Sequence, residues 1–518
     1  MKKTFKRAGV AVLSMAMLLS MGAVGAMTAS AANGTVTVAS STNLKADDTV
    51  TFYKVAGTNS TTGDWKWVNG LSDASVGTAM STVKGYNEST NAAELKALAS
   101  KIKRLVDAGG TSYTGSAEAS TAKVNGASAS LAPGYYLGIV TSTDNSMTVA
   151  PILVAVTDGG SSTVSQVKSS TVEIDKEVKE VTDGVTAADH ESADVSKDSV
   201  ITYTIAADIP EYDSQVSSLT THYTITDTAS NLTLGAISSV VVDMDDDGDL
   251  TDTEGGTPGA IVLAKDSATA ALKYTMPEAG TGNLFKVQLD DAATLAYGGH
   301  KVWVTFTASL TNGAYNVMSE ANPNTATLTY ANDYATGGGS KSIDDTVNVY
   351  TALLKLSKLI SGDTTTSRAF TFTLQKHNGT EYVDYRTNIS VTSNGSAVEL
   401  SGLPTGQYKI IESDVANYKP FSPLTFEITD TNNNGRFDLA SGASASVTAV
   451  DNEAAAADGT VGKGINDYFN AVATNAKIDA LPGTGGMGTT LFTIGGAAIV
   501  LLAGAMFVVY MRRRKNEE

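Results

Sequence analysis

Two stretches of this chain place a lysine on a face that is otherwise apolar. One reads Val172-Glu173-Ile174-Asp175-Lys176-Glu177-Val178, the other Leu354-Lys355-Leu356-Ser357-Lys358-Leu359-Ile360. Alternate residues of a strand share a face, so Lys176 lies with Val172, Ile174 and Val178, and Lys358 with Leu354, Leu356 and Ile360. A buried, unpaired ammonium is costly, so each lysine must lose its charge or meet a polar partner. Two β domains are therefore expected, each with a lysine on the apolar face of its first strand.

Short alternating runs separated by turn residues recur throughout. They fall near 200–206, 221–227, 237–243, 301–309 and 325–330, and again near 369–375, 406–412, 424–429 and 466–473. Their frequency predicts an all-β fold of tandem immunoglobulin-like β-sandwich domains. One helix is expected in the first domain, where Leu95, Leu98, Ile102, Leu105 and Val106 recur at helical spacing before Gly109-Gly110. Trp65 and Trp67 lie two apart and read as a core or sheet-surface pair rather than a ligand platform.

The two ends are not part of these domains. Lys2, Lys3, Lys6 and Arg7 precede an apolar stretch from Ala8 to Met27, and Ala29-Ser30-Ala31 follows, the pattern of a secretory signal peptide removed near Ala31. At the other end, Leu481-Pro482-Gly483-Thr484-Gly485 precedes an apolar run from Leu491 to Tyr510 and then Arg512-Arg513-Arg514-Lys515. At about 1.5 Å per residue such a run spans about 30 Å, one bilayer core. The basic cluster holds its end in the cytoplasm. The expected organisation is a signal peptide at 1–31, domains at 32–168, 169–349 and 350–478, and a tail at 479–518 with its membrane helix at 491–511.

Composition narrows the function. The net charge is −18, which argues against nucleic acid as a partner for an exported chain. There is no cysteine, so neither a disulfide nor a thiolate zinc site can reinforce the domains. The sequence lacks G-x-S-x-G, H-E-x-x-H and P-loop patterns, and its four histidines are scattered, so an enzyme acting on an external substrate is not expected. The one cofactor suggested is calcium. The stretch from Asp243 to Glu254 follows the spacing of a twelve-residue calcium loop, with Asp243, Asp245, Asp247, Asp249 and Glu254 as candidate ligands and Gly248 at the sixth position. Its flanks read as strand and turn rather than two helices. The stretch from Asp430 to Gly435 echoes the pattern with little charge and reads as a plain turn.

The C-terminal order resembles the cell-wall sorting signal of Gram-positive surface proteins, an LPxTG pentapeptide cut by sortase between Thr484 and Gly485. The interior resembles sortase-assembled pilins whose domains form intramolecular isopeptide bonds. Tyr223-Thr224-Ile225-Thr226-Asp227-Thr228 is similar to that family's "TDT" stretch. Asn324-Thr325-Ala326-Thr327-Leu328-Thr329-Tyr330 is similar to its "NTAxVxY" stretch, with Leu328 in place of valine. Gly406-Gln407-Tyr408-Lys409-Ile410-Ile411-Glu412 resembles its E-box, and Tyr468-Phe469-Asn470 its closing strand.

The resemblance implies that Lys176 attacks the Asn324 carboxamide with Asp227 assisting, and that Lys358 attacks Asn470 with Glu412 assisting. Asn452 and Asn466 are competing acceptors for Lys358. It implies that the acceptor sits on the last strand of its domain. It also implies an intersubunit lysine, Lys168, in Val164-Ser165-Gln166-Val167-Lys168-Ser169, where the Tyr-Pro that precedes this lysine in the family is missing. The function implied is a structural pilus backbone subunit, polymerised by sortase, anchored to peptidoglycan and mediating adhesion. Its partners would be sortase and further copies of the pilin, and its only catalysis would be on itself. The alternative is a monomeric wall-anchored adhesin that binds host glycan or matrix.

Overall fold

The computed structural model describes residues 32–515 apart from short stretches, the longest being 182–190, 312–320, 451–466 and 479–485. The signal peptide, Lys168, the Leu481–Gly485 pentapeptide, Asn452 and Asn466 lie outside the described residues.

Three β domains follow one another. In the first, Gly34–Val38 lies between Ser128–Leu131 and Ser161–Val164. A second sheet runs Trp65–Trp67, Thr49–Thr58, Gly134–Thr141, Ile152–Val156. The expected helix is Glu88–Asp107. It buries Leu95, Leu98, Ala99 and Ile102 against Trp67, Tyr135, Leu137 and Leu153. Trp65 packs on the Tyr135 ring with centroids 4.6 Å apart, so both tryptophans serve the core.

The second domain is a sandwich of two sheets. One runs Ile174–Val181, Ile201–Asp208, Lys301–Leu310, Leu232–Asp243, Ala260–Val262. The facing sheet has Lys341–Tyr350, Asn322–Tyr330, Thr224–Ala229, Leu284–Leu289 and Lys273–Thr281 at its centre. The alternation seen in sequence is realised as alternation of burial. In Asn322–Tyr330 every second side chain, from Asn322 through Asn324, Ala326 and Leu328 to Tyr330, faces the core. Asn322–Tyr330 is not the last strand of its domain, contrary to expectation. Lys341–Tyr350 follows and pairs with it throughout, from Asn322 opposite Val349 to Tyr330 opposite Lys341. Its alternation is faint because only Val347 and Val349 are buried.

In the third domain, Ala352–Ile360 lies between Val398–Leu403 and Tyr468–Asn475. The facing sheet is built around Ala369–His377, Gly406–Glu412 and Leu424–Thr429. Its core is rich in Phe370, Phe372, Tyr408, Phe426 and Phe469.

Domains 1 and 2 are fastened by charge. Lys103 on the long helix pairs with Asp107 and with Asp333 of domain 2. Arg104 Nη1 donates to the Ala335 carbonyl at 2.8 Å and lies 3.2 Å from Asp213 Oδ1. From the other side, the Tyr330 hydroxyl donates to the Asn145 carbonyl at 2.6 Å. The C-terminal helix is Gly486–Lys515. Thr490–Lys515 is long and apolar enough to cross a membrane and packs on none of the domains.

Candidate functional site

In domain 2, Lys176 points from one sheet across the sandwich to the other. There Asp227 and Asn324 sit on neighbouring antiparallel strands, with Asp227 opposite Ala326 and Asn324 opposite Ala229. The two core-facing positions are diagonal neighbours, within mutual reach. Lys176, Asp227 and Asn324 are all completely buried. Lys176 Nζ contacts Asp227 Oδ2. The Phe306 and Tyr203 rings lie 4.9 and 5.3 Å from Nζ and exclude water. Burial lowers the lysine pKa against the pull of Asp227, and burial raises that of Asp227 against the pull of Lys176. Both shifts favour the neutral pair, a free amine beside a protonated carboxyl.

Asn324 adjoins Asp227 closely enough to lower its proton affinity, yet neither its amide nitrogen nor its amide oxygen reaches hydrogen-bond geometry. A buried amide without partners costs on the order of 1–3 kcal/mol for each unmet group. Native cores rarely carry such a group without a reason.

Domain 3 repeats the arrangement with one correction. Lys358 is 1% exposed and its Nζ lies 3.1 Å from Glu412 Oε1, at an angle that makes no hydrogen bond. Phe370, Phe421 and Phe372 surround it at 4.5, 5.6 and 5.7 Å. Burial lowers the lysine pKa, with Glu412 opposing. The asparagine that joins this pair is Asn475, not Asn470. Ala352–Ile360 runs parallel to Tyr468–Asn475, so Leu354, Leu356, Lys358 and Ile360 align with Phe469, Ala471, Ala473 and Asn475 on the core face. Asn470 aligns with Lys355 on the outer face. Asn475 is 3% exposed, and its Nδ2 donates to Glu412 Oε2 at 2.7 Å. Glu412 thus holds the amine at one oxygen and the amide at the other. Counting faces from Phe469, Ala471 and Ala473 reaches Asn475, which is the signal that a motif match to Asn470 overlooks.

The acidic loop closes a hairpin, since Asp243 opposite Ala260 ends the ladder on either side of it. Carboxylate oxygens of Asp243, Asp245 and Asp247 lie within 4.8 Å of one another. Asp243 is buried and also orders the loop, its two oxygens accepting the N–H groups of Asp246 at 2.8 Å and Gly248 at 3.0 Å. Asp249 turns instead to Thr251, whose N–H it accepts at 2.9 Å. The Glu254 side chain lies outside the described residues.

Residues 473–518 match the family model of the LPXTG cell wall anchor motif. No curated protein matches the sequence. Among solved structures, the chain is similar to the T6 backbone pilin of serotype M6 Streptococcus pyogenes, described as a modular three-domain structure decorated with variable loops and extensions. That match has 17% identity and a TM-score of 0.52 over 88% of this chain and 95% of the other. The full-length major pilin SpaD from Corynebacterium diphtheriae matches with 16% identity and a TM-score of 0.46 over 87% of this chain and 98% of that one. The major pilin SpaA of the same organism matches with 13% identity and a TM-score of 0.45 over 86% and 100%. The anchor makes the chain a sortase substrate linked to the wall. It is therefore a secreted, cell-wall-anchored surface protein whose exported part has the modular three-domain fold of the T6 backbone pilin.

Proposed function

We propose that this protein is a pilus backbone subunit, self-crosslinked in domains 2 and 3 and joined head to tail by sortase. The observation that carries the crosslinks is a buried lysine beside a buried acid and a buried asparagine, occurring once in domain 2 and once in domain 3. In each, the neutral lysine nitrogen attacks the asparagine Cγ. The Nζ–Cγ bond forms, the Cγ–Nδ2 bond breaks, and ammonia leaves. The carboxyl relays the proton, giving one to the departing nitrogen and recovering the one that the amine releases, a transfer suited to an acid that faces both groups. Lys176 is joined to Asn324, and Lys358 to Asn475.

For polymerisation, sortase opens the Thr484–Gly485 bond, and an exposed amine of the next subunit takes the Thr484 acyl group. Lys176 and Lys358 are buried and consumed. Lys168 lies between the buried Val167 and the strand Ser169–Thr171, where domain 1 hands over to domain 2. A head-to-tail bond there repeats without closing, as a filament requires. Lys168→Ala should abolish the ladder of high-mass species in wall extracts boiled in detergent, while secretion and single-subunit attachment persist. If the ladder survives, Lys168 is not the acceptor, and the exposed Lys123 and Lys84 are next. A single band from the unaltered protein would favour the monomeric adhesin, the reading that the missing Tyr-Pro supports.

The same reading includes calcium at the acidic loop, supported by the convergence of Asp243, Asp245 and Asp247. These oxygen donors suit a hard cation, which would draw their charges together and stiffen the hairpin. Calcium should raise the melting temperature of domain 2, and Asp243→Ala with Asp245→Ala should remove that increment. Equal melting in calcium and in chelator would leave the loop as an acidic turn.

A further inference from the structure

The joint between domains 2 and 3 contains a second group of oxygens that the crosslinks do not use. Asp194 ends the strand Ser192–Asp194, which pairs in parallel with the end of Lys341–Tyr350. The next turn meets domain 3, where Lys197 N–H donates to the Gly402 carbonyl at 3.1 Å. This contact brings the Asp194 carboxyl to the Thr405 side chain and to the carboxyl of Asp430, at the end of Leu424–Thr429. Asp194 is 1% exposed, and neither of its oxygens is in hydrogen-bond geometry with any partner. The charged group that acts on Asp194 is Asp430. Burial and the neighbouring Asp430 push the Asp194 pKa up to about 8.

Asp430 and Gly435 share one hydrogen bond with the corresponding pair of the acidic loop of domain 2. Gly435 N–H donates to Asp430 Oδ2 at 2.7 Å, as Gly248 N–H donates to Asp243 Oδ2 at 3.0 Å. In both loops the aspartate is at the first position and a glycine with positive φ at the sixth, +79° at Gly435 and +85° at Gly248. The Tyr350 ring lies against Gly435, where a Cβ would fall 2.3 Å from the ring. The domain junction therefore packs directly on this loop.

We propose that Asp194, Asp430 and Thr405 hold a divalent cation of the calcium class, which joins domain 2 to domain 3. A buried carboxyl that faces a second carboxyl needs a positive charge between them or must share a proton. The three donors are all oxygens, so the fit is to a hard cation rather than zinc or copper. A cation bound by residues of both domains stiffens the joint only when both are in place. Extracellular calcium modules bind with dissociation constants of about 0.1–1 mM, and the same range is expected here.

The test uses the exported chain, 32–484, carrying Asp243→Ala and Asp245→Ala so that the domain 2 loop is silent. Titration with calcium chloride, followed by calorimetry, should show one bound calcium. Asp194→Asn, which keeps the shape of the side chain, should weaken that binding at least tenfold and raise the melting temperature in chelator, because a buried carboxyl whose ionised form is disfavoured has become a neutral amide. Absence of calcium binding in the double-alanine background overturns the proposal and leaves a shared proton. Undiminished binding after Asp194→Asn overturns it as well. If the unaltered chain binds no more calcium than the double-alanine chain, the domain 2 loop is the failed site, and the joint is judged separately by Asp194→Asn.

Discussion

The intact mass of the folded exported chain should fall below its sequence mass by one ammonia for each crosslink, two in all. Lys176→Ala and Lys358→Ala should each restore one. Asn475→Ala should restore the domain 3 ammonia, while Asn470→Ala should leave the mass deficit complete, because Asn470 faces away from Lys358 beside Lys355. A wild-type mass equal to the sequence mass would sink both crosslinks, and a deficit lost with Asn470→Ala would overturn the assignment of Asn475. The effect on stability is large. The Lys176–Asn324 bond closes a loop of about 150 residues, for which the entropy model of cross-links gives about 5 kcal/mol. For a domain of this length, that corresponds to a melting point lower by about 10–20 °C in Lys176→Ala.

Pulled from its two ends, domain 2 should lengthen by a short, fixed amount, and domain 3 should not lengthen at all. With Lys176 joined to Asn324 as proposed, force entering domain 2 at Lys176 crosses directly to Asn324 and bypasses everything between them. Only the segment from Asn324 to Tyr350 remains in the load path. Fully extended, its roughly 26 residues reach about 90 Å. Asn324 already lies opposite Val347 in the folded ladder, so nearly all of that length is gained. The two strands are antiparallel and hydrogen-bonded throughout, and load on them acts along their length, so the ladder resists as a unit. In domain 3 the acceptor Asn475 ends the last described strand, aligned with Ile360, and the crosslink leaves no comparable segment. Single-molecule stretching between Ser169 and Ala476, which leaves domain 1 out of the load path, should therefore show one step of about 90 Å. Lys176→Ala should replace it with a step of about 600 Å, the extended reach of the whole segment from Lys176 to Tyr350. A wild-type subunit that shows the long step would rule out the domain 2 bond.

Much of this arrangement was legible along the chain because it depends on local rules. The membrane helix, its basic end and the pentapeptide before it are contiguous signals. The lysines were found by parity alone, since a strand alternates faces whatever it pairs with. Asp227 and Asn324 were legible only through the resemblance of their stretches to the pilin motifs; in the fold each falls in step with apolar neighbours, Ile225 and Ala229 for the first, Ala326 and Leu328 for the second.

What the sequence did not settle depends on which strands pair and in what register. Asn470 and Asn475 differ by an odd number of positions and so face opposite ways. Only the parallel pairing of Tyr468–Asn475 with Ala352–Ile360 decides which one shares the core with Lys358. The strand Lys341–Tyr350 was hidden because its outward side chains are polar and charged, and its place is fixed by the long partner beside it. Asp194 and Asp430 belong to different domains, far apart in the chain, and meet only because two finished domains dock. Periodicity is a property of one strand and can be read from it. Register, strand order and docking are set by the burial gained between distant segments, and only the folded chain contains that information.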